Sequence, residues 1–112
     1  ELATKANEKF NNKFFKEAAI FYDKAILVDP YEYSYYENSA ISYYSIQDYD
    51  KSLFKINEVI KNMNPLNGKC EYIKGLNYLQ LGLISDACSL FKTSLASGFN
   101  ESKNLINQYC KN

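Results

Sequence analysis

Histidine, tryptophan and arginine are absent from this chain, and methionine occurs once. Without histidine there is no imidazole to activate a serine or cysteine nucleophile, and none to ligate a metal. Without arginine every cation is a lysine ammonium, so no guanidinium can grip a carboxylate or phosphate through two parallel bonds. Charge of one sign is not in excess: 13 basic residues meet 13 acidic ones, for a formal net charge of zero. That balance offers no global field for nucleic acid or for an anionic membrane surface. Glycine is scarce, at 4 residues, and none of them form a phosphate-cradling loop. No apolar run reaches the length of a membrane span, so direct membrane insertion is not expected of this segment. Acidic pairs such as Asp23 with Asp29 read as ordinary helix-surface charges rather than as general acid–base groups. No enzyme, no cofactor and no metal site is expected.

The cysteines are few and awkwardly placed. Cys70, Cys88 and Cys110 are three in number and contain no C-x-x-C pair. A disulfide framework is therefore not expected, and a reducing compartment is. Cys88, beside Ala87 on a packed helix, is expected to be a small buried residue. The chain starts at Glu1 rather than at a methionine, has no signal-peptide pattern and is read as a piece of something longer.

What the sequence does have is a repeat. Its 112 residues, 46% hydrophobic and 23% charged, suit one globular domain. Ala6, Ala40 and Gly75 recur at steps of 34 and 35. Phe15, Tyr49 and Ile84 keep the same steps, as do Ala18, Ser52 and Ala87, and Tyr22, Ile56 and Phe91. A period of roughly 34 residues is that of paired-helix repeats. The small residues let two helices of a pair approach closely, Ala6 with Ala18, Ala40 with Ser52 and Gly75 with Ala87. The larger Phe15, Tyr49 and Ile84 are expected to plug gaps between layers, and Tyr22, Ile56 and Phe91 to pack on the following repeat.

Helices are predicted near 2–13, 16–28, 31–45, 48–62, 67–81, 84–97 and 101–111. Apolar steps of three and four within 16–28 support this reading. Asp29-Pro30 and the stretch ending in Pro65 close helices, because the residue before proline resists the helical region. Asp48 is the expected N-cap of the fourth helix, Gly82 a C-cap, and Ser97-Gly98 the end of the sixth. The last helix, with Leu105, Ile106 and Tyr109 on one face, reads as a polar cover for the terminal repeat.

The stretches Phe21-Tyr22-Asp23-Lys24-Ala25-Ile26-Leu27-Val28-Asp29-Pro30 and Asp48-Tyr49-Asp50-Lys51-Ser52 resemble the tetratricopeptide repeat (TPR) family. The resemblance covers essentially the whole chain. It implies an all-α fold: a right-handed superhelical array of three helix-turn-helix repeats, about 1–30, 31–65 and 66–98, with a capping helix at about 100–111, forming a single domain. It also implies a protein-binding scaffold rather than a catalyst.

Within that family the chain resembles the co-chaperones that grip the acidic C-terminal tail of a cytosolic heat-shock chaperone with a clamp of donors. Asn7, Asn38 and Lys69 stand at three of the five clamp positions. Ala3 and Ile73 replace the other two, a lysine and an arginine, so the clamp is incomplete. Ammonium and amide groups suit a terminal carboxylate because both are hydrogen-bond donors. Glu37, next to Asn38, is expected to face the groove and repel an acidic tail. Tyr44, Leu76 and Leu79 are expected to line the groove and meet apolar side chains of the ligand. The rival expectation is a scaffold subunit of a multiprotein complex with no carboxylate clamp. The resemblance implies a cytoplasmic module, or the cytosol-facing domain of an organelle-anchored protein.

Overall fold

The structure, a computed structural model, describes residues 1–110, so the last expected residue of the cap helix lies outside the described residues. The chain forms two compact units, Glu1–Asn64 and Pro65–Asn112. The first unit holds α1 (Leu2–Asn11), α2 (Phe15–Val28), α3 (Tyr33–Ser45) and α4 (Tyr49–Asn62). The second holds α5 (Lys69–Gln80), α6 (Ile84–Ala96) and α7 (Ser102–Tyr109). All regular structure among the described residues is helical. The array of paired helices expected from the period is present, and the helix ends shift by one to two residues. α3 starts two residues late because Pro30-Tyr31-Glu32 forms the turn out of α2. α5 starts two residues late because Gly68 sits at φ +79, outside the helical region.

Each hairpin turn is made the same way. The second residue past α1, α3 and α5 is Lys13, Gln47 or Gly82, at φ +64, +65 and +82. These positions lie 34 and 35 apart, so the turn belongs to the repeat. In each, the next amide reaches back to the helix: Phe14 to Lys9, Asp48 to Tyr43 and Leu83 to Tyr78, at 2.8–2.9 Å. This satisfies carbonyls that the helix end would otherwise orphan. Only Gly82 takes the left-handed conformation without a Cβ clash. Asp48 caps α4 as expected, its side chain accepting from the Lys51 amide at 3.3 Å.

The small positions do what their size suggests. Ala6, Ala18, Ala40, Ser52 and Ala87 are fully buried. The Ser52 hydroxyl donates to the Ala40 carbonyl at 2.7 Å, which ties α4 to α3 at the close approach. At Gly75 a Cβ would stand 2.5 Å from the Phe91 ring, so only glycine lets α5 meet α6 there. Tyr22 packs edge-on to Phe10 and reaches forward to Tyr35 on α3, with centroids at 6.0 and 6.5 Å. Phe91 instead packs back on Tyr72 of its own hairpin, at 6.2 Å.

Two packing expectations fail. Ile84 is 47% exposed and plugs nothing, unlike its half-buried counterparts Phe15 and Tyr49. Glu37 is only 3% exposed, so it is turned into the helix layer rather than toward a ligand. A third correction concerns the cysteines. Cys88 and Cys110 form a disulfide, with Cα atoms 5.6 Å apart. Cys88 is buried as expected, but the bond itself contradicts the reading of unpaired thiols. The hairpin of α6 and α7 brings together two residues 22 apart in sequence, which counting and local spacing do not foretell.

Candidate peptide-binding residues

In the first unit three successive helices converge on one hydroxyl. Tyr22, on α2, has its ring sealed between α1 and α3, so its position is set by packing. Its hydroxyl donates to Asn7 Oδ1 on α1 at 2.5 Å. Asn38, on α3, faces the same hydroxyl with an amide that favours its ionised form. Burial raises the Tyr22 pKa above its ordinary value, and the Asn38 amide partly offsets that rise. The effect on Asn7 is directional. With Oδ1 committed to Tyr22, the amide's remaining face is its NH2, a donor. Asn7 is exposed and Asn38 half-buried, so the pair stands at the surface. The structure thus brings Asn7 and Asn38 together through a residue that sequence reading assigned only to packing.

One turn before Asn7 lies Ala3. It lines a cavity of about 290 Å³ with Leu2, Ala25, Val28 and Tyr35, and with the acidic Glu1 and Asp29. Where the resembled clamp has a cation, this chain has a mainly apolar recess with Glu1 and Asp29 in its lining. Tyr44, also in the first unit, is half-buried with its ring 5.7 Å from Tyr49 at the start of α4. Tyr33 and Tyr31 are exposed, while Tyr36 donates its hydroxyl to the Pro30 carbonyl at 2.9 Å.

A second polar centre went unnoticed in the sequence. Asp23, on α2, accepts from Ser39 at 2.8 Å and from Tyr43 at 2.5 Å. It also pairs with Lys55 of α4 at 3.0 Å. Asp23 thereby joins α2, α3 and α4. Burial, followed by the hydrogen bond and charge of Asp23, pushes the Tyr43 phenol well above its usual value. The one signal in the sequence was the spacing of Ser39 and Tyr43, one helical turn apart on one face of α3.

In the second unit, Lys69 is the first residue of α5 and half-exposed. Its backbone amide donates to Asn67 Oδ1 at 3.0 Å. Gly68, just before it, is wedged so tightly that a Cβ would lie 2.5 Å from the Ser94 carbonyl oxygen. The Ser94 hydroxyl in turn donates to the Gly68 carbonyl at 2.6 Å and accepts from Ser102 at 2.7 Å. Lys69 is therefore held at its backbone by α6 and the start of α7. Leu76 and Leu79 follow on α5, both half-buried. Ile73, at the position of the missing clamp arginine, is 1% exposed and belongs to the core. Lys74, one residue on, lies over the Tyr78 ring at 5.7 Å.

No family model matches the sequence. A relative does: tetratricopeptide repeat protein 28 of Homo sapiens is 32% identical over 98 residues, 86% of this chain. The chain spans only 4% of that relative's length. Among solved structures, the first TPR of Spaghetti (RPAP3) bound to the HSP90 peptide SRMEEVD superposes with a TM-score of 0.87 at 22% identity. That match covers 96% of this chain and 86% of the other. The second TPR domain of human RPAP3, in complex with the HSP70 peptide SGPTIEEVD, gives 0.81 at 20% identity, covering 99% and 97%. The fold and the recurring turn define a helical-repeat protein of paired helices. The chain belongs to the tetratricopeptide-repeat family. No helix among the described residues is long and apolar enough to cross a membrane.

Proposed function

We propose that this chain is a peptide-binding module that takes the acidic C-terminal tail of a heat-shock chaperone. The observation that carries the reading is the Tyr22 hydroxyl's bond to Asn7 Oδ1, which leaves the NH2 of the exposed Asn7 as its donor face, with Asn38 beside it. A terminal carboxylate is an acceptor-only group and suits such donors. Lys69 is the cationic partner in this reading, and Tyr44, Leu76 and Leu79 meet the apolar residues of the tail. Two structural relatives bind peptides that end in EEVD, which supports the choice of ligand. Glu37 is buried, so its carboxylate does not contact the tail directly in this reading. The module would act as a co-chaperone or chaperone-docking receptor on the cytosolic side.

Ala3 and Ile73 set the expected affinity. Each lost charge-assisted donor costs roughly 1.5–3 kcal/mol, so the tail should bind well below the strength of a full clamp. The same two residues favour the second reading, a scaffold subunit that grips no carboxylate. Calorimetry with SRMEEVD as free acid and as C-terminal amide separates the two. The acid should bind and the amide bind more weakly; equal binding refutes the clamp. Lys69→Glu should abolish tail binding under the first reading and change little under the second.

A further inference from the structure

The Cys88–Cys110 bond sits where the fold is least able to hold itself. α7 has eight residues, fewer than the roughly 12–15 at which an isolated helix becomes even marginal in water. Ser102, at its first position, is its one buried residue, and Tyr109 near its end is 39% exposed. The N-terminal end of α7 is anchored by the Ser102 to Ser94 hydrogen bond. Its C-terminal end is anchored by Cys110 to Cys88, which lies about one turn into α6. A short helix with so little apolar burial depends on that second anchor.

The bond is also reachable. A recess of about 360 Å³ opens on both cysteines, lined by Ile84, Ser85, Ser89, Lys92 and Tyr109. Lys92 follows Cys88 by four residues, so the two share a face of α6 one turn apart. An ammonium beside a sulfur favours its thiolate form, and a stabilised thiolate leaves faster in exchange. Cys70 lies buried on α5 and takes no part in the bond.

We propose that Cys88–Cys110 is a thiol–disulfide exchange site that controls whether α7 stays docked on α6. The reactant is a low-molecular-weight thiol of the glutathione class. Its thiolate attacks Cys110 Sγ, the less buried sulfur; the protein S–S bond breaks and Cys88 leaves as a thiolate beside Lys92. A second thiol attacks the mixed disulfide at the small molecule's sulfur and releases Cys110. In sum, one protein disulfide and two small thiols give two protein thiols and one small disulfide, so electrons and protons balance. Oxidation pins α7; reduction leaves it held by Ser102 and the half-buried Leu105 and Ile106. The inference is independent of what the module binds.

The test uses the whole chain equilibrated in glutathione buffers of graded ratio. Oxidised protein should be about 2 Da lighter than reduced protein, with Cys88 and Cys110 protected from alkylation. On reduction the amides of Ser102–Tyr109 should exchange at least roughly tenfold faster while those of α5 stay unchanged. Cys110→Ser should reproduce the fast exchange without reductant. Lys92→Gln should slow the reduction several-fold with α7 protection in the oxidised form unchanged. Free thiols at both cysteines in the most oxidising buffer would overturn the proposal, as would equal α7 exchange in both states. An unchanged reduction rate in Lys92→Gln would overturn the part given to the lysine.

Discussion

Replacing Tyr22 with phenylalanine tests the geometry of the asparagine pair with a single oxygen atom. The ring is fully buried and would keep its contacts with Phe10 and Tyr35. What goes is the donor to Asn7 and the partner of Asn38. A net hydrogen bond is worth about 0.5–1.5 kcal/mol. Asn7 is exposed and recovers a water bond; Asn38 is half-buried and recovers less. The expected loss is therefore about 1 kcal/mol, or roughly 4 °C in melting temperature for a chain of this size. Tyr22→Ala, which also empties the ring site, should cost about 3–5 kcal/mol. The Tyr22→Phe protein should still fold, yet its affinity for an EEVD-type tail should fall about fivefold, as about 1 kcal/mol of lost donor orientation requires. Urea denaturation, NMR of the Asn7 and Asn38 side-chain amides and calorimetry measure the three effects. A variant of unaltered stability whose two amide signals do not move would refute the reasoning.

Gly75→Ala should lower stability, because overpacking against the locked Phe91 ring, about 1–3 kcal/mol, exceeds the gain in helix propensity of about 1 kcal/mol; a raised melting temperature would contradict the contact. Gln47→Gly should do the reverse, stabilising by about 0.5–1 kcal/mol in thermal unfolding, since a glycine adopts φ +65 without a Cβ clash. Asp23→Ala should cost about 2 kcal/mol by stranding the buried Ser39 and the Tyr43 hydroxyl, whereas Lys55→Ala should cost about 1 kcal/mol or less in the same denaturation assay. Raising the pH should weaken the fold: Tyr22 and Tyr43 keep their protons in the native state, while the unfolded phenols ionise near pH 10. The unfolded chain then binds fewer protons, so stability is fully present below about pH 10 and falls as pH rises through it. Urea midpoints read between about pH 8 and 11 should show that decline, and should show less of it in Tyr43→Phe.

The repeat and its consequences were legible because period and residue size are local facts. Small residues spaced 34 and 35 apart imply close helix pairs, and the helices appear within one or two residues of where the period puts them. Prolines, Asp48 and Gly82 marked ends because backbone preference is a property of the residue itself. Lys13 and Gln47 share Gly82's left-handed turn without announcing it, since neither residue prefers that region. Other features depended on which side of a helix faced what. Glu37 and Asn38 are neighbours in sequence, but only the docking of α3 on α2 decides that one is buried and the other meets Tyr22. Asp23 became a hub only when α3 and α4 brought Ser39, Tyr43 and Lys55 to it. The three cysteines gave no pairing by count; the turn between α6 and α7 placed two of them 5.6 Å apart at their Cα atoms. Composition and spacing determine which elements form, because those forces act within a few residues. Partners are chosen by tertiary packing, because a hydrogen bond or a disulfide needs ångström proximity that one dimension does not encode.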